Sequence, residues 1–199
     1  MIIDINKIII IQKYYRRYLI QKKLLIPSSY YQTKIWRKNR KWYNNGKSNE
    51  CEKYQINNIE KIINNKLSKT NDRINIEKLL IINNNRPLVE NDGFEWTENF
   101  DGKLLKNNNI YYFNLKFICD SGGSQTRSLR EVYYFIKYQM EVLLNNISYN
   151  NIYFINILDG DTCYNNINKF YYLKNKDKYI NVNKYIFIGD TKDFLKYSL

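Results

Sequence analysis

The stretch Ile152-Tyr153-Phe154-Ile155-Asn156-Ile157-Leu158 does most to constrain how this chain can fold. It is a near-continuous apolar run of strand length, and such a strand has to be covered on both faces. Helices are the natural covers. Ser128 to Leu144 places Leu129, Val132, Tyr133, Ile136, Met140, Leu143 and Leu144 on one helical face. A shorter helix is expected from Thr162 to Leu173, a second buried strand from Tyr185 to Ile188, and a closing helix between Asp190 and Tyr197. Upstream, a polar strand-like run lies between Phe94 and Leu105. The turn residues Asn107-Asn108-Asn109 and the β-forming run Ile110 to Ile118 complete an antiparallel hairpin. Asp120 to Ser124, with Gly122-Gly123, reads as a loop. Hairpin strands followed by alternating helices and strands predict an α/β fold, a mixed sheet flanked by helices.

Residues before Leu88 read differently. A helix over 4–25 stops before Pro27. A basic segment, Tyr30 to Tyr43, is interrupted at Asn44-Asn45-Gly46. A helix opens at Asn49 and runs to about Lys66, a further short helix is expected over Asp72 to Ile82, and Asn83 to Pro87 is a loop. The sequence therefore divides into a basic helical N-terminal region, 1–87, and an α/β core, 88–199. Charge follows this asymmetry. The whole chain has 32 Lys and Arg against 19 Asp and Glu, a net charge of +13. Residues 1–53 contribute 13 basic and 3 acidic groups, or +10, and residues 54–199 contribute 19 and 16, or +3. Tyr14, Tyr15, Tyr18, Tyr30, Tyr31, Trp36, Trp42 and Tyr43 lie among those cations. Cations beside aromatic rings suit a phosphate backbone and stacked bases, so a polyanion is expected, with DNA or RNA the leading partner; the partner expected here is double-stranded DNA, gripped in part by Arg37, Lys38, Arg40 and Lys41.

Histidine is absent, which excludes Ser-His-Asp and Cys-His nucleophiles and every histidine-bound metal. Cys51, Cys119 and Cys163 are scattered, so neither a zinc site nor a disulfide framework is expected. The apolar run Ile8 to Ile11 is too short for a membrane span, and a soluble intracellular protein without a membrane partner is expected. Any chemistry must come from carboxylates, lysine, arginine, tyrosine, hydroxyls or amides.

Those groups concentrate between Glu95 and Glu131. In a strand, Asn114 and Lys116 share one face, and Phe113, Leu115 and Phe117 share the other. Asp101, on the preceding limb of the hairpin, is positioned to face the first pair. An acid, a second oxygen ligand and a lysine on adjacent strands suit phosphodiester hydrolysis with a hard divalent ion such as Mg²⁺ or Mn²⁺. Asn114 brings an amide oxygen without charge, so Glu98, Glu95, Glu52 or Glu60 is the candidate for the missing charge.

On Phe100-Asp101-Gly102 and Asn114-Leu115-Lys116, the region 90–199 resembles the PD-(D/E)XK superfamily, particularly type II restriction-endonuclease-like proteins of the sort also encoded by large DNA viruses. The resemblance implies an α-β-β-β-α-β core and a Mg²⁺-dependent DNA endonuclease. It implies catalytic roles for Asp101, Asn114, Lys116 and Glu98, metal ligation by Asp101, Asn114 and Glu98, and DNA contact by Gln125, Arg127 and Arg130. A homodimer is also a family expectation, as is a setting in the host cell or virion. The sequence departs from the pattern where Asn114 replaces the second acid. A catalytically degenerate, non-enzymatic nucleic-acid-binding protein is the alternative.

Two other motifs compete. Ile11-Gln12-x-x-x-Arg16-Arg17 is similar to a calmodulin-binding IQ motif, with Arg17 where Gly is usual; an interaction module is the reading it supports, and a calmodulin-like partner the weaker one. Asp159-Gly160-Asp161 ends the buried strand as an Asp-x-Asp metal pair would, or as a polar strand end starting a helix.

Overall fold

The computed structural model describes residues 9–16, 38–39, 49–83, 89–90, 93–94, 97–120 and 122–197. Helix α1 (Asn49–Ile63) carries Glu50 and Glu52 in its first turn and Lys61 in its last, matching the helix dipole at both ends. Asn64, at φ 53°, ends it in the left-handed conformation. Strands β1 (Asp72–Asn75) and β2 (Leu80–Asn83) follow, then β3 (Val89–Glu90), β4 (Gly93–Phe94), β5 (Thr97–Asn99), β6 (Gly102–Lys106) and β7 (Asn109–Phe117). The remaining elements are α2 (Gly123–Asn145), β8 (Ile152–Asp159), α3 (Asp161–Lys174), β9 (Ile186–Gly189) and α4 (Thr191–Phe194).

The fold is mixed α/β. Its main sheet has the order β6-β7-β8-β9. β6 and β7 are antiparallel, while β7, β8 and β9 are parallel neighbours joined through α2 and α3. The β6–β7 turn consists of Asn107 and Asn108, at φ 52° and 64°, where asparagine tolerates the left-handed backbone of a tight hairpin. A second, three-stranded antiparallel sheet has the order β2-β1-β5, and β3 and β4 form a small hairpin.

Apolar residues alternate across the main sheet. Tyr112, Phe154 and Leu158 join Val132, Phe135, Ile136 and Met140 of α2 and Phe170 and Leu173 of α3 in one cluster. Tyr111, Phe113, Leu115, Ile155 and Ile157 join Ile59 of α1 and Phe194 of α4 in the other. The sheet thus has α2 and α3 on one face and α1 and α4 on the opposite one, the double covering that the apolar β8 requires.

Residues 72–82 are not the expected helix. The chain reverses because Asn75 Oδ1 accepts hydrogen bonds from the backbone N–H groups of Glu77 (3.0 Å) and Lys78 (2.8 Å), an Asx turn that competes with helix. β1 is the central strand of its sheet and all four of its residues are buried. Ile59 and Ile74 sit in the two clusters that also hold the strands of the main sheet. Helix α1 and strand β1, both before residue 87, thus pack against the main sheet. Of the basic arm, residues 9–16 are helical and exposed, and Lys38 is exposed as well. Arg17, Arg37, Arg40 and Lys41 lie outside the described residues, and the IQ-like motif is described only up to Arg16. No described helix is long and apolar enough to cross a membrane.

Candidate active site

The β6–β7 register pairs Gly102 with Phe113. One residue earlier, Asp101 N–H donates to the Phe113 carbonyl (2.8 Å), and Asp101 Oδ2 accepts from the Leu115 N–H (2.6 Å). The hairpin therefore fixes Asp101 against Asn114-Leu115-Lys116. Lys116 lies within electrostatic reach of three carboxylates: Asp101, Glu98 in the middle of β5, and Glu52 in the first turn of α1. Asp101 and Glu98 thus both feel the charge of Lys116.

The three acids share one electrostatic character. Burial pushes the Asp101 carboxyl up, against the pull of Lys116 and the Leu115 N–H. Burial also raises Glu98, with Glu131 of α2 adding to the rise and Lys116 opposing it. Glu52 is raised by burial and by Asp101, again with Lys116 opposing. Three acids around one lysine carry more negative charge than the lysine offsets, and each resists ionising.

Glu52 is the upstream acid that reaches the site. Glu60 does not: it accepts from Lys66 Nζ (2.6 Å) and the Leu67 N–H (3.0 Å), which fastens the end of α1. Glu95 lies outside the described residues. Two further groups join the site. Glu131, whose place in the sequence suits a local helical ion pair, couples instead to Glu98. Gln55, three residues beyond Glu52, is buried; its Nε2 donates to the Lys116 carbonyl (3.2 Å) and to Asp159 Oδ2 (2.8 Å). The only sequence signal for Gln55 is its three-residue spacing from Glu52 on a helix.

Asn114 shares the Lys116 face, as strand alternation requires, but it is only 1 % exposed. Its Nδ2 donates to Asn156 Oδ1 (2.8 Å), which also accepts from Gln139 Nε2 (3.1 Å) of α2. Asn156 Nδ2 returns a bond to Gln139 Oε1 (2.8 Å). Asn114 Oδ1 is buried without a hydrogen-bond partner. An orphaned oxygen of this kind suits a cation or a water, and in donor chemistry Asp101, Asn114 Oδ1 and Glu98 are oxygen groups of the kind a hard divalent ion takes. Even so, no three acidic or cysteine side chains among the described residues are drawn together as a ready-made metal cluster.

The Asp159-Gly160-Asp161 segment has structural work. Asp159 accepts from the Thr191 N–H (2.9 Å), the Thr191 hydroxyl (2.6 Å) and Gln55, tying together β8, α4 and α1. Asp161 accepts from the Asp120 N–H with both oxygens (3.1 and 3.2 Å). Gly160 between them has φ 102° and backs onto the Ile118 carbonyl. The two acids are spent on different neighbours, as a polar strand end predicts.

Of the expected DNA contacts, Arg127 and Arg130 are exposed on the first turns of α2, and Gln125 is half-buried, its Oε1 accepting from the Ser124 hydroxyl (2.8 Å). Helix α2 begins at Gly123, so the expected loop is already helical at Ser124. In comparisons with known proteins, no family model, no curated protein and no solved structure matches the chain.

Proposed function

We infer that the chain is a metal-dependent endonuclease that hydrolyses DNA phosphodiesters, with a restriction-endonuclease-like main sheet. The observation that carries this reading is the Asp101 Oδ2 bond to the Leu115 N–H, which locks an acid beside Asn114-Leu115-Lys116 at the mouth of a hairpin. An antiparallel hairpin, a helix and a parallel strand follow one another as in part of an α-β-β-β-α-β core, although β5, the strand before the hairpin, pairs in the other sheet.

Asp101, Asn114 Oδ1 and Glu98 would hold Mg²⁺ or Mn²⁺, with Glu52 as a further carboxylate from α1. When bound, the ion supplies Lewis acidity toward the scissile phosphate and its attacking water. Lys116 stands beside the acids as a cation for the charge that builds on the phosphate oxygens. Gln55 is a positioning residue: its bond to the Lys116 carbonyl holds the end of β7 against α1. Arg127, Arg130 and the basic N-terminal segment supply sequence-independent contact with the duplex.

The test is incubation of the full chain with methylated and unmethylated plasmid in Mg²⁺ or Mn²⁺, beside Asp101→Ala and Lys116→Ala. Metal-dependent cutting that both substitutions abolish is the expected result. Wild-type protein that binds plasmid and never cuts it overturns the enzyme and leaves a binding protein, the reading favoured by the uncharged, network-bound Asn114.

A further inference from the structure

Helices α2 and α3 lie on the same face of the main sheet, and between them opens a cavity of about 520 Å³. This volume falls within the range of small-molecule sites, ~300–1,000 Å³. Leu129 and Tyr133 line it from α2, and Phe170 and Tyr172 from α3. Phe170 is buried and its ring centroid lies 6.3 Å from that of Tyr133, so the floor is fixed. Tyr172 is 72 % exposed at the mouth, with Lys176 Nζ 5.4 Å from its ring centroid. Two cations, Arg130 and Lys169, complete the wall, with the carboxamides of Asn166 and Asn168; the described lining includes no carboxylate.

Flat rings, amides and cations in a compact space match a planar, hydrogen-bonding, anionic ligand better than an extended peptide. The chain's charge of +13 favours a polyanion as its source. A second, polar cavity of about 270 Å³ adjoins the first through Thr126, Leu129, Asn166 and Lys169 and brings in Asp120 and Asp161. Those acids repel phosphate, so the anionic part of a ligand belongs on the side of Arg130 and Lys169.

We propose that this cavity takes one unpaired nucleotide of a nucleic-acid strand, its base against Tyr133, Phe170 and Tyr172 and its phosphate on Arg130 and Lys169. The proposal rests on the reading of the chain as a nucleic-acid-binding protein and extends it from backbone contact to capture of a base. A nucleotide leaves a duplex most readily where it is mismatched, damaged or already single-stranded, so the cavity directs the protein toward such places.

Fluorescence anisotropy of the full chain in EDTA, with a labelled oligothymidine of about ten nucleotides, tests this. Tyr172→Ala is expected to weaken binding roughly tenfold, the effect of losing one stacked base, while Tyr172→Phe restores it. Lys169→Ala is expected to lower the salt slope by about 0.7. On an abasic oligomer of the same length, Tyr172→Ala changes nothing. Unchanged binding of Tyr172→Ala to oligothymidine, or an equal loss on the abasic oligomer, overturns the proposal and leaves the cavity to a protein or other ligand. A free mononucleotide that competes as well as the oligomer overturns the strand as occupant. Tyr172 dependence alongside plasmid that is never cut sinks the nuclease reading alone. Asp101-dependent cutting without Tyr172 dependence sinks the pocket alone.

Discussion

Restoring a carboxylate at position 114 probes both the fold and the proposed site. In Asn114→Asp the donor to Asn156 Oδ1 is lost, and that acceptor is already fixed by Gln139. If the introduced carboxyl ionises, it sets an oxygen against the Asn156 oxygen in a buried setting, costing the hydrogen bond and its desolvation, ~1–3 kcal/mol before any charge burial. If it stays protonated it keeps the bond, but holding the proton at pH 7 costs ~1.4 kcal/mol for each of about three pH units above the ordinary aspartate value, or ~4 kcal/mol. The cheaper state sets the penalty, so the variant should lose about 3–4 kcal/mol. For a chain of this size that is a fall in Tm of roughly 10 °C. Thermal unfolding in EDTA measures it, and an undiminished Tm refutes the closed network of Asn114, Asn156 and Gln139. Adding Mg²⁺ then separates site from scaffold. A carboxylate facing the proposed ion should recover more Tm with Mg²⁺ than wild type gains, and equal gains refute Asn114 as a ligand position.

Further outcomes follow from other contacts. Asp72 is buried and accepts from Lys103 Nζ (2.7 Å) and the Tyr112 hydroxyl (2.9 Å). Burial alone would raise its carboxyl, but those bonds outweigh burial and hold it below the usual range. Its contribution is therefore present above the unfolded aspartate value and is lost as pH falls through the lower folded one. Urea unfolding should show Lys103→Met less stable than wild type by ~3 kcal/mol at pH 7, with the gap closing below about pH 4; a gap constant down to about pH 2 contradicts this. Gly160→Ala drives a Cβ into the Ile118 carbonyl at φ 102° and should cost about 3 kcal/mol or more, so a wild-type melting curve would refute that close approach. If Glu52 shares the proposed ion, Glu52→Gln should raise the Mg²⁺ concentration for half-maximal cutting roughly tenfold, and an unchanged titration removes it from the site.

How much of this is legible in the sequence depends on whether local pattern and tertiary context agree. β8 is plain because nearly every residue in it needs covering, and the β6–β7 hairpin because asparagines suited to left-handed backbone sit between β-forming runs. The placing of Asp101 beside Asn114-Leu115-Lys116 follows from the hairpin. Residues 72–82 mislead because Ile74, Ile81 and Ile82 fit helical spacing as well as strands. What decides is the Asx turn at Asn75 and the placing of β1 between β2 and β5, and the pairing with β5 is not local. Gln55 is invisible for the same reason: its partners, Lys116 and Asp159, are 61 and 104 residues away.

The charge around Lys116 orders events on the proposed reading. Asp101, Glu98 and Glu52 surround one lysine, and each carboxyl is pushed up by burial or by another acid. A phosphodiester brings a further negative charge, so DNA approaching these acids alone meets repulsion. Cations more than a Debye length away, about 8 Å, do little to offset it. A divalent ion cancels the excess negative charge of three acids and one lysine and relieves the crowding among the acids at the same time. Metal affinity and DNA affinity should therefore be coupled at this site, each increasing the other by the same factor. Replacing Asp101 by Asn removes one of the repelling charges along with a ligand. It should weaken metal binding yet strengthen metal-free DNA binding, which anisotropy in EDTA can measure. A variant that binds DNA no better than wild type without metal would place the duplex elsewhere on the molecule.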